Sequence, residues 1–140
     1  MNVARFESGP QFPPASYVET KAAKGRLNYL AGLAAEEQVA AHYQRLGYEL
    51  EACRWRGRYG EIDLIMRKND QVIFVEVKKS STIDRACALL RRRQMDRICT
   101  AAMEFVGTEP NMLDTDMRFD LAAMDSKGMI EIIENAFGAA

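Results

Sequence analysis

The chain has 140 residues, of which 48% are hydrophobic and 28% are charged, so it can bury a core of its own. It contains neither an apolar run of about 18 residues nor a basic start followed by an apolar stretch, which argues against a membrane span and a secretion signal. Three cysteines, an odd number without zinc-binding spacing, fit a reducing compartment. We therefore expect a cytoplasmic protein with no membrane partner.

The first 25 residues contain Gly9-Pro10 and Phe12-Pro13-Pro14, which interrupt periodic structure. They are interpreted as a flexible N-terminal tail. Residues 26–140 then form one domain.

A first helix is predicted from about Asn28 to Leu46, because this segment is rich in helix-forming residues and ends at Gly47. At about 100° per residue, Glu36 lies in the middle of an apolar stripe. A buried carboxylate is costly unless it is paired, hydrogen-bonded or bound to metal. Glu36 is therefore either a structural acid with a partner or part of a site. The other members of the stripe are Gly32, Leu33, Val39, Ala40 and Tyr43.

A basic cluster follows the first helix and consists of Arg54, Arg56 and Arg58, interleaved with Trp55 and Tyr59. The net charge of −1 provides no general attraction for phosphates, so binding of nucleic acid would depend on such local clusters. The aromatic rings could stack on bases. Solvated arginines around a packed tryptophan are the alternative.

Two alternating segments, Gly60–Met66 and Val72–Lys78, are joined by a polar turn and predict a β-hairpin. A turn centred between Asn69 and Asp70 sets the register and places Asp63 opposite Glu76. Glu61 is then opposite Lys78. One face of the hairpin becomes apolar, with Ile62, Leu64, Met66, Ile73, Val75 and Val77, and the other carries the charged residues.

The charged face holds three carboxylates and one ammonium group. Because like charges opposite each other destabilise a sheet, a divalent cation would relieve the repulsion, and Mg²⁺ typically uses one or two protein carboxylates. A solvated face on which Lys78 pairs with Glu61 is the alternative.

A second helix is predicted from about Asp84 to Val106. Gln94 lies at the centre of its apolar stripe and points inward. Its arginines, including Arg91, form a second basic cluster. After a loop from Gly107 to Asp116, residues 118–124 and 129–133 are predicted as strands, the last at an edge, and Asp120 is interpreted as a structural acid paired with an arginine.

The sequences Gly60-Glu61-Ile62-Asp63-Leu64-Ile65 and Phe74-Val75-Glu76-Val77-Lys78 resemble the YraN family of bacterial proteins, which is related to archaeal Holliday junction resolvases and to the PD-(D/E)xK nucleases. The resemblance runs from about residue 32 to residue 137. Further matching motifs, in the same order, are Gly32-x-x-x-Glu36, Gly47-Tyr48, Gln94, Arg118-Phe119-Asp120 and Asn135-Ala136-Phe137.

The resemblance implies an α/β fold with a restriction-endonuclease-like core, a mixed sheet of four to five strands flanked by helices in α-β-β-β-α-β order. It implies that Asp63, Glu76 and Glu36 bind Mg²⁺ or Mn²⁺, that Lys78 is the catalytic lysine, and that Gln94 supports the site. Arg54 stands where family members commonly have Asn, and Ser80 where they often have Arg, so Lys79 or the arginines would supply the missing cation.

Three functions are compatible with these features. The first is a metal-dependent endonuclease that hydrolyses phosphodiester bonds in branched or distorted DNA, with Arg54, Arg56, Arg58, Lys79 and Arg91 as nucleic-acid contacts. The second is a non-cleaving DNA- or RNA-binding module on the same fold. The third is a dimeric interaction protein. By analogy with junction resolvases, a homodimer is expected for the first.

Overall fold

The computed structural model describes residues 21–138. The chain forms an α/β fold in which helices flank a mixed five-stranded sheet, as predicted. The helices are α1 (Lys21–Arg45), α2 (Ile83–Ala88) and α3 (Arg92–Val106), and one 3₁₀ turn covers Met112–Asp114. The strands are β1 (Glu49–Arg56), β2 (Glu61–Lys68), β3 (Gln71–Lys79), β4 (Met117–Met124) and β5 (Ile130–Ile133).

The strands lie in the sheet in the order β1-β2-β3-β4-β5. Only β3 and β4 are parallel, and the chain crosses between them through α2 and α3. Every other neighbouring pair is antiparallel. This is the α-β-β-β-α-β order expected from the resemblance, with β5 added as the predicted short edge strand.

Helix α1 already includes Lys21 and ends at Arg45, so its predicted start at Asn28 was too late. Lysine, alanine and arginine before Asn28 are good helix formers, and one glycine among them does not end a helix. The chain divides into two compact units after Leu33, within α1, and the unit from Ala34 onward contains the whole sheet. Residues 1–20, most of the predicted tail, lie outside the described residues, and the domain boundary near residue 25 stays a prediction.

The predicted hairpin register is confirmed from Leu64 opposite Val75 to Lys68 opposite Gln71. Asn69 in the turn has a positive φ of 56°, which asparagine adopts more readily than most residues. The turn chemistry and the burial pattern therefore fixed the pairing between β2 and β3.

The hairpin ladder ends at Leu64 and Val75, so the predicted pairs at the open end are wrong as backbone pairs. Beyond this point β2 stays beside β1, where Glu61 is opposite Arg56, and β3 stays beside β4, where Lys78 is opposite Ala123. The two middle strands therefore separate where the acids begin. Two acids facing each other across a ladder would repel, which favours this opening.

Both faces of the hairpin pack against the interior, because the sheet is covered on each side. Leu64, Met66, Ile73 and Val75 form one cluster with the residues of α1 from Ala35 to Tyr43. Ile65 and Phe74 form the other cluster with α3. Ile62 also packs in the α3 cluster, which corrects its predicted place beside Leu64. The charged face is thus polar only at the open end.

The predicted second helix is divided into α2 and α3. Thr82 caps α2, since its Oγ1 accepts a hydrogen bond from the backbone N–H of Arg85 at 3.1 Å. Arg91 has extended backbone angles and begins α3 without a side-chain cap. A periodic pattern alone hides such a break, because apolar residues continue through Leu89 and Leu90 into the next helix.

Asp120 is fully buried in β4 and is the structural acid that was predicted. Its carboxylate accepts hydrogen bonds from Tyr43 Oη at 2.8 Å, from Arg118 Nε at 2.8 Å and Nη2 at 2.9 Å, and from the backbone N–H of Asn135 at 2.9 Å. These contacts connect α1, β4 and the C-terminal segment. Buried charges are tolerated when paired and hydrogen-bonded in this way.

Among residues 21–138, no helix combines the length and the apolar character needed to cross a bilayer.

We predict that Asp120→Ala lowers the free energy of unfolding by about 3 to 5 kcal/mol, because it removes the buried carboxylate and leaves the Arg118 guanidinium only the Tyr48 hydroxyl and the exposed Glu134 as partners. Tyr43→Phe is the matched control, since it removes one hydrogen bond to the same carboxylate and should cost only about 1 kcal/mol. Urea denaturation followed by circular dichroism measures both. Equal losses for the two variants would contradict the structural role of the ion pair.

Candidate active site

The separation of β2 and β3 opens a cleft of about 200 Å³ at the edge of α3. The predicted residues Asp63, Glu76 and Gln94 line this cleft together, although they come from β2, β3 and α3. The complete lining is Glu61, Asp63, Glu76, Gln94, Arg97 and Ile98.

Asp63 is held by the strand from which its own strand has separated. Its Oδ2 accepts a hydrogen bond from the backbone N–H of Val77 at 2.8 Å. A side chain thus takes the place that a backbone carbonyl would have in a continuous ladder. This bond places the Asp63 carboxyl in the cleft that Glu76 also lines.

The proximity of the two acids changes their protonation. Burial, and then the negative charge of Glu76, raise the pKa of Asp63 to about 7. The pKa of Glu76 is also raised by burial, against the lowering effect of Lys78. The pair therefore resists carrying two negative charges unless a cation is added.

Glu76 is the most constrained acid of the site, and only 5% of its surface is exposed. Its Oε2 accepts a hydrogen bond from Gln94 Nε2 at 2.8 Å and lies 3.1 Å from Lys78 Nζ. Gln94 therefore points inward, as predicted, and it holds this carboxylate. Glu61, which pairs with Lys78 in the alternative of a solvated face, instead forms an exposed ion pair with Arg56 at 3.6 Å.

Glu36 is buried in α1, as the stripe predicted, and it faces an arginine. Arg54 Nε donates to Glu36 Oε1 at 2.8 Å and Arg54 Nη2 donates to Oε2 at 3.2 Å, a two-pronged ion pair. Burial still raises the pKa of Glu36, and the nearby charges of Asp63 and Glu61 add to this effect. Arg54, predicted as a nucleic-acid contact, thus binds an acid of the site in this structure.

A second cleft, of about 490 Å³, is lined by Arg91, Arg93, Gln94 and Arg97. Gln94 and Arg97 line both clefts, so positive side chains adjoin the acids. Arg97 belongs to the second basic cluster of the sequence, but Arg91 was the one residue of that cluster predicted to contact nucleic acid. The signal was available, because Arg97 follows Gln94 by three residues and such residues share a helix face.

The other predicted basic contacts lie at the surface. Arg58 is exposed in the turn between β1 and β2, and its backbone N–H donates to Glu104 Oε1 at 2.8 Å. Lys79 is exposed at the end of β3. Neither residue lines the two clefts.

The acids of the site are suited to a cation that needs few protein ligands. Within residues 21–138, no three side chains of His, Cys, Asp or Glu are arranged to hold a metal ion by themselves. Two carboxylates beside an open cleft nevertheless fit Mg²⁺, which keeps several waters and commonly adds phosphate oxygens. The donor chemistry is therefore compatible with the expected ion.

A family model described as "Uncharacterised protein family UPF0102" matches residues 35–124, more than half of the chain. The chain belongs to this family. The resemblance to the YraN family is thereby confirmed. The matched range includes Glu36, Asp63, Glu76, Lys78 and Gln94.

Individual UPF0102 proteins are similar to this one over most of its length. A UPF0102 protein of Ruegeria pomeroyi is 54% identical over 117 residues, which cover 84% of this chain and 95% of the relative. One from Cereibacter sphaeroides is 55% identical over 115 residues, covering 82% and 98%. One from Dinoroseobacter shibae is 41% identical over 113 residues, covering 81% and 84%.

We predict that Asp63→Asn stabilises the metal-free protein at about pH 8, by roughly 1 to 3 kcal/mol. The folded state of the wild type holds the Asp63 proton up to about pH 7, whereas the unfolded chain releases it near 3.8. The stability that the Asp63 proton gives to the folded state is fully present below the pKa of Asp63 in the unfolded chain. It is lost as the pH rises through about 7, the pKa in the folded state. Asparagine keeps an oxygen for the Val77 N–H and never becomes charged.

Urea denaturation of both proteins in EDTA, across about pH 5 to 8, measures this effect. The stability difference between variant and wild type should grow with pH. A difference that stays constant over this range would contradict the raised pKa.

Proposed function

We propose that this protein is a metal-dependent endonuclease that hydrolyses phosphodiester bonds in branched or distorted DNA. The observation that carries the proposal is that the half-buried Asp63 and the buried Glu76 line one cleft, where the charge of Glu76 helps to raise the pKa of Asp63 and the Lys78 ammonium lies 3.1 Å from Glu76. Such an arrangement raises the energy of the metal-free site, and functional sites are where such costs are concentrated.

Asp63 and Glu76 would hold a Mg²⁺ or Mn²⁺ ion. The Val77 N–H holds Asp63 Oδ2, while the Gln94 amide and the Lys78 ammonium hold Glu76 Oε2, so the protein already orients both carboxylates. A bound divalent ion lowers the pKa of water and polarises a phosphoryl oxygen, which is the chemistry that phosphodiester hydrolysis requires.

Lys78 and Gln94 have different tasks in this proposal. Lys78 places a positive charge beside Glu76, where it can orient the attacking water or stabilise the charge that develops on the phosphoryl group. Gln94 has no charge to offer, and its amide fixes the direction of the Glu76 carboxylate. Gln94 is therefore a positioning residue.

The arginine-lined cleft provides local attraction for phosphates that the overall charge of −1 does not. Because Gln94 and Arg97 line both clefts, a strand whose phosphates lie along Arg91, Arg93 and Arg97 would continue toward the two acids. Arginine suits this role, since its planar group forms paired hydrogen bonds with phosphate oxygens.

A homodimer is part of the proposal because a branched junction offers paired strands for cleavage, and symmetric enzymes cut such substrates in matching positions. Sedimentation velocity with and without a four-way DNA junction tests it. A monomer in both conditions would restrict the proposal to single-strand cleavage events.

We predict that Asp63→Asn weakens binding of Mn²⁺ at least about tenfold and that Glu76→Ala and Lys78→Met lower cleavage at least about 100-fold. Calorimetric titration measures the binding, and assays on four-way junctions, duplexes and single strands of DNA and RNA measure turnover. Asp70→Asn is the control, because Asp70 is an exposed acid in the hairpin turn. Activity retained in Glu76→Ala would refute the nuclease assignment, and nucleic-acid binding without turnover in any metal would identify a non-cleaving module.

We predict that Arg93→Gln and Arg97→Gln each weaken DNA binding and reduce the slope of log affinity against log salt by about 1. Fluorescence anisotropy in EDTA, where no hydrolysis is expected, measures the slope. Arg92→Gln is the matched control, because Arg92 is on the same helix but pairs with Asp96 and does not line the cleft. An equal loss in all three variants would contradict a specific phosphate path.

A further inference from the structure

The ion pair between Glu36 and Arg54 lies beside the two acids that we assign to the metal. In the ladder between β1 and β2, Cys53 is opposite Leu64 and Trp55 is opposite Ile62, so Arg54 lies opposite Asp63. Both oxygens of Glu36 are hydrogen-bonded by one guanidinium, at 2.8 and 3.2 Å, and only 11% of its side chain is exposed. A third acid of the site therefore already has a cationic partner supplied by the protein.

The charges of the site favour one divalent ion over two. When ionised, Glu36, Asp63 and Glu76 carry three negative charges, against which Arg54 and Lys78 place two positive charges. One divalent ion together with one phosphodiester group brings the sum to zero. A second divalent ion would leave an excess of positive charge in a partly buried site, unless it displaced the guanidinium.

We propose that the site takes a single divalent cation, and that Arg54 occupies at Glu36 the position that a second cation would need. This inference rests on the proposed metal site at Asp63 and Glu76. It gives Arg54 the role of a positioning residue, which neutralises Glu36 and keeps it from acting as a metal ligand.

The backbone at Arg54 makes a suitable test variant available. Arg54 has a positive φ of 48°, a left-handed conformation that is uncommon for arginine and is more readily adopted by asparagine. Arg54→Asn therefore removes the guanidinium without adding backbone strain. The neutral amide leaves Glu36 exposed to the repulsion of Asp63 and Glu76, which a second cation would relieve.

The experiment is a calorimetric Mn²⁺ titration of the full chain, with electron paramagnetic resonance to detect coupling between neighbouring Mn²⁺ ions. We expect one ion in the wild type, two coupled ions in Arg54→Asn, and one ion again in Arg54→Asn combined with Glu36→Gln. Glu36→Gln alone should bind one ion with an affinity within about threefold of the wild type. In this proposal Glu36 does not ligate the ion, so its replacement removes no ligand.

Two ions in the wild type, or one ion in folded Arg54→Asn, would overturn the inference. If Arg54→Asn does not fold, as judged by circular dichroism, Glu36→Gln decides, and a loss of affinity of about tenfold or more would show that Glu36 is a metal ligand. Absence of binding in the wild type would instead refute the metal site itself, and with it the proposed function.

Discussion

The hydrogen bond from the Val77 backbone to Asp63 is the contact on which the site depends. It forms where β2 and β3 cease to pair, and it holds Asp63 in the cleft that Glu76 also lines. A continued ladder would leave no cleft between the strands. Wider separation would weaken the effect of the Glu76 charge, which helps to raise the pKa of Asp63.

Packing in the rest of the fold offsets the unfavourable free energy of this local arrangement. Residues 64–66 and 72–75 are fully buried between α1 on one side and α3 on the other, so the strands cannot follow the separation of their ends. Asp120 fixes α1 and the C-terminal segment to β4 through its hydrogen bonds. In sequence it is far from Asp63 and Glu76. Stability is thus concentrated in the closed part of the sheet, and the open end carries the unfavourable charges.

The contrast between the closed, apolar part of the sheet and its open, charged end also underlies the chemistry that we propose. Carboxylate side chains line the first cleft, arginines line the second cleft, and Gln94 and Arg97 line both. Each acid has a distinct partner: Asp63 the Val77 amide, Glu76 the Lys78 ammonium and the Gln94 amide, and Glu36 the Arg54 guanidinium. These partners differ in charge, so the three acids are in different electrostatic environments.

The sequence by itself determined the register of the closed part of the hairpin and the inward direction of Glu36 and Gln94, because periodicity and turn residues act over short distances. The resemblance of its motifs implied the order of helices and strands along the chain and the family. The sequence could not determine where the hairpin ladder stops, that Lys78 pairs with Glu76 and not Glu61, that the second helix is interrupted before Arg91, or that Arg54 reaches Glu36. Each of these depends on the electrostatic and packing environment created by segments far apart in the chain. Local patterns contain no information about which distant charges a side chain will meet, so only the tertiary structure decided how the acids are partnered.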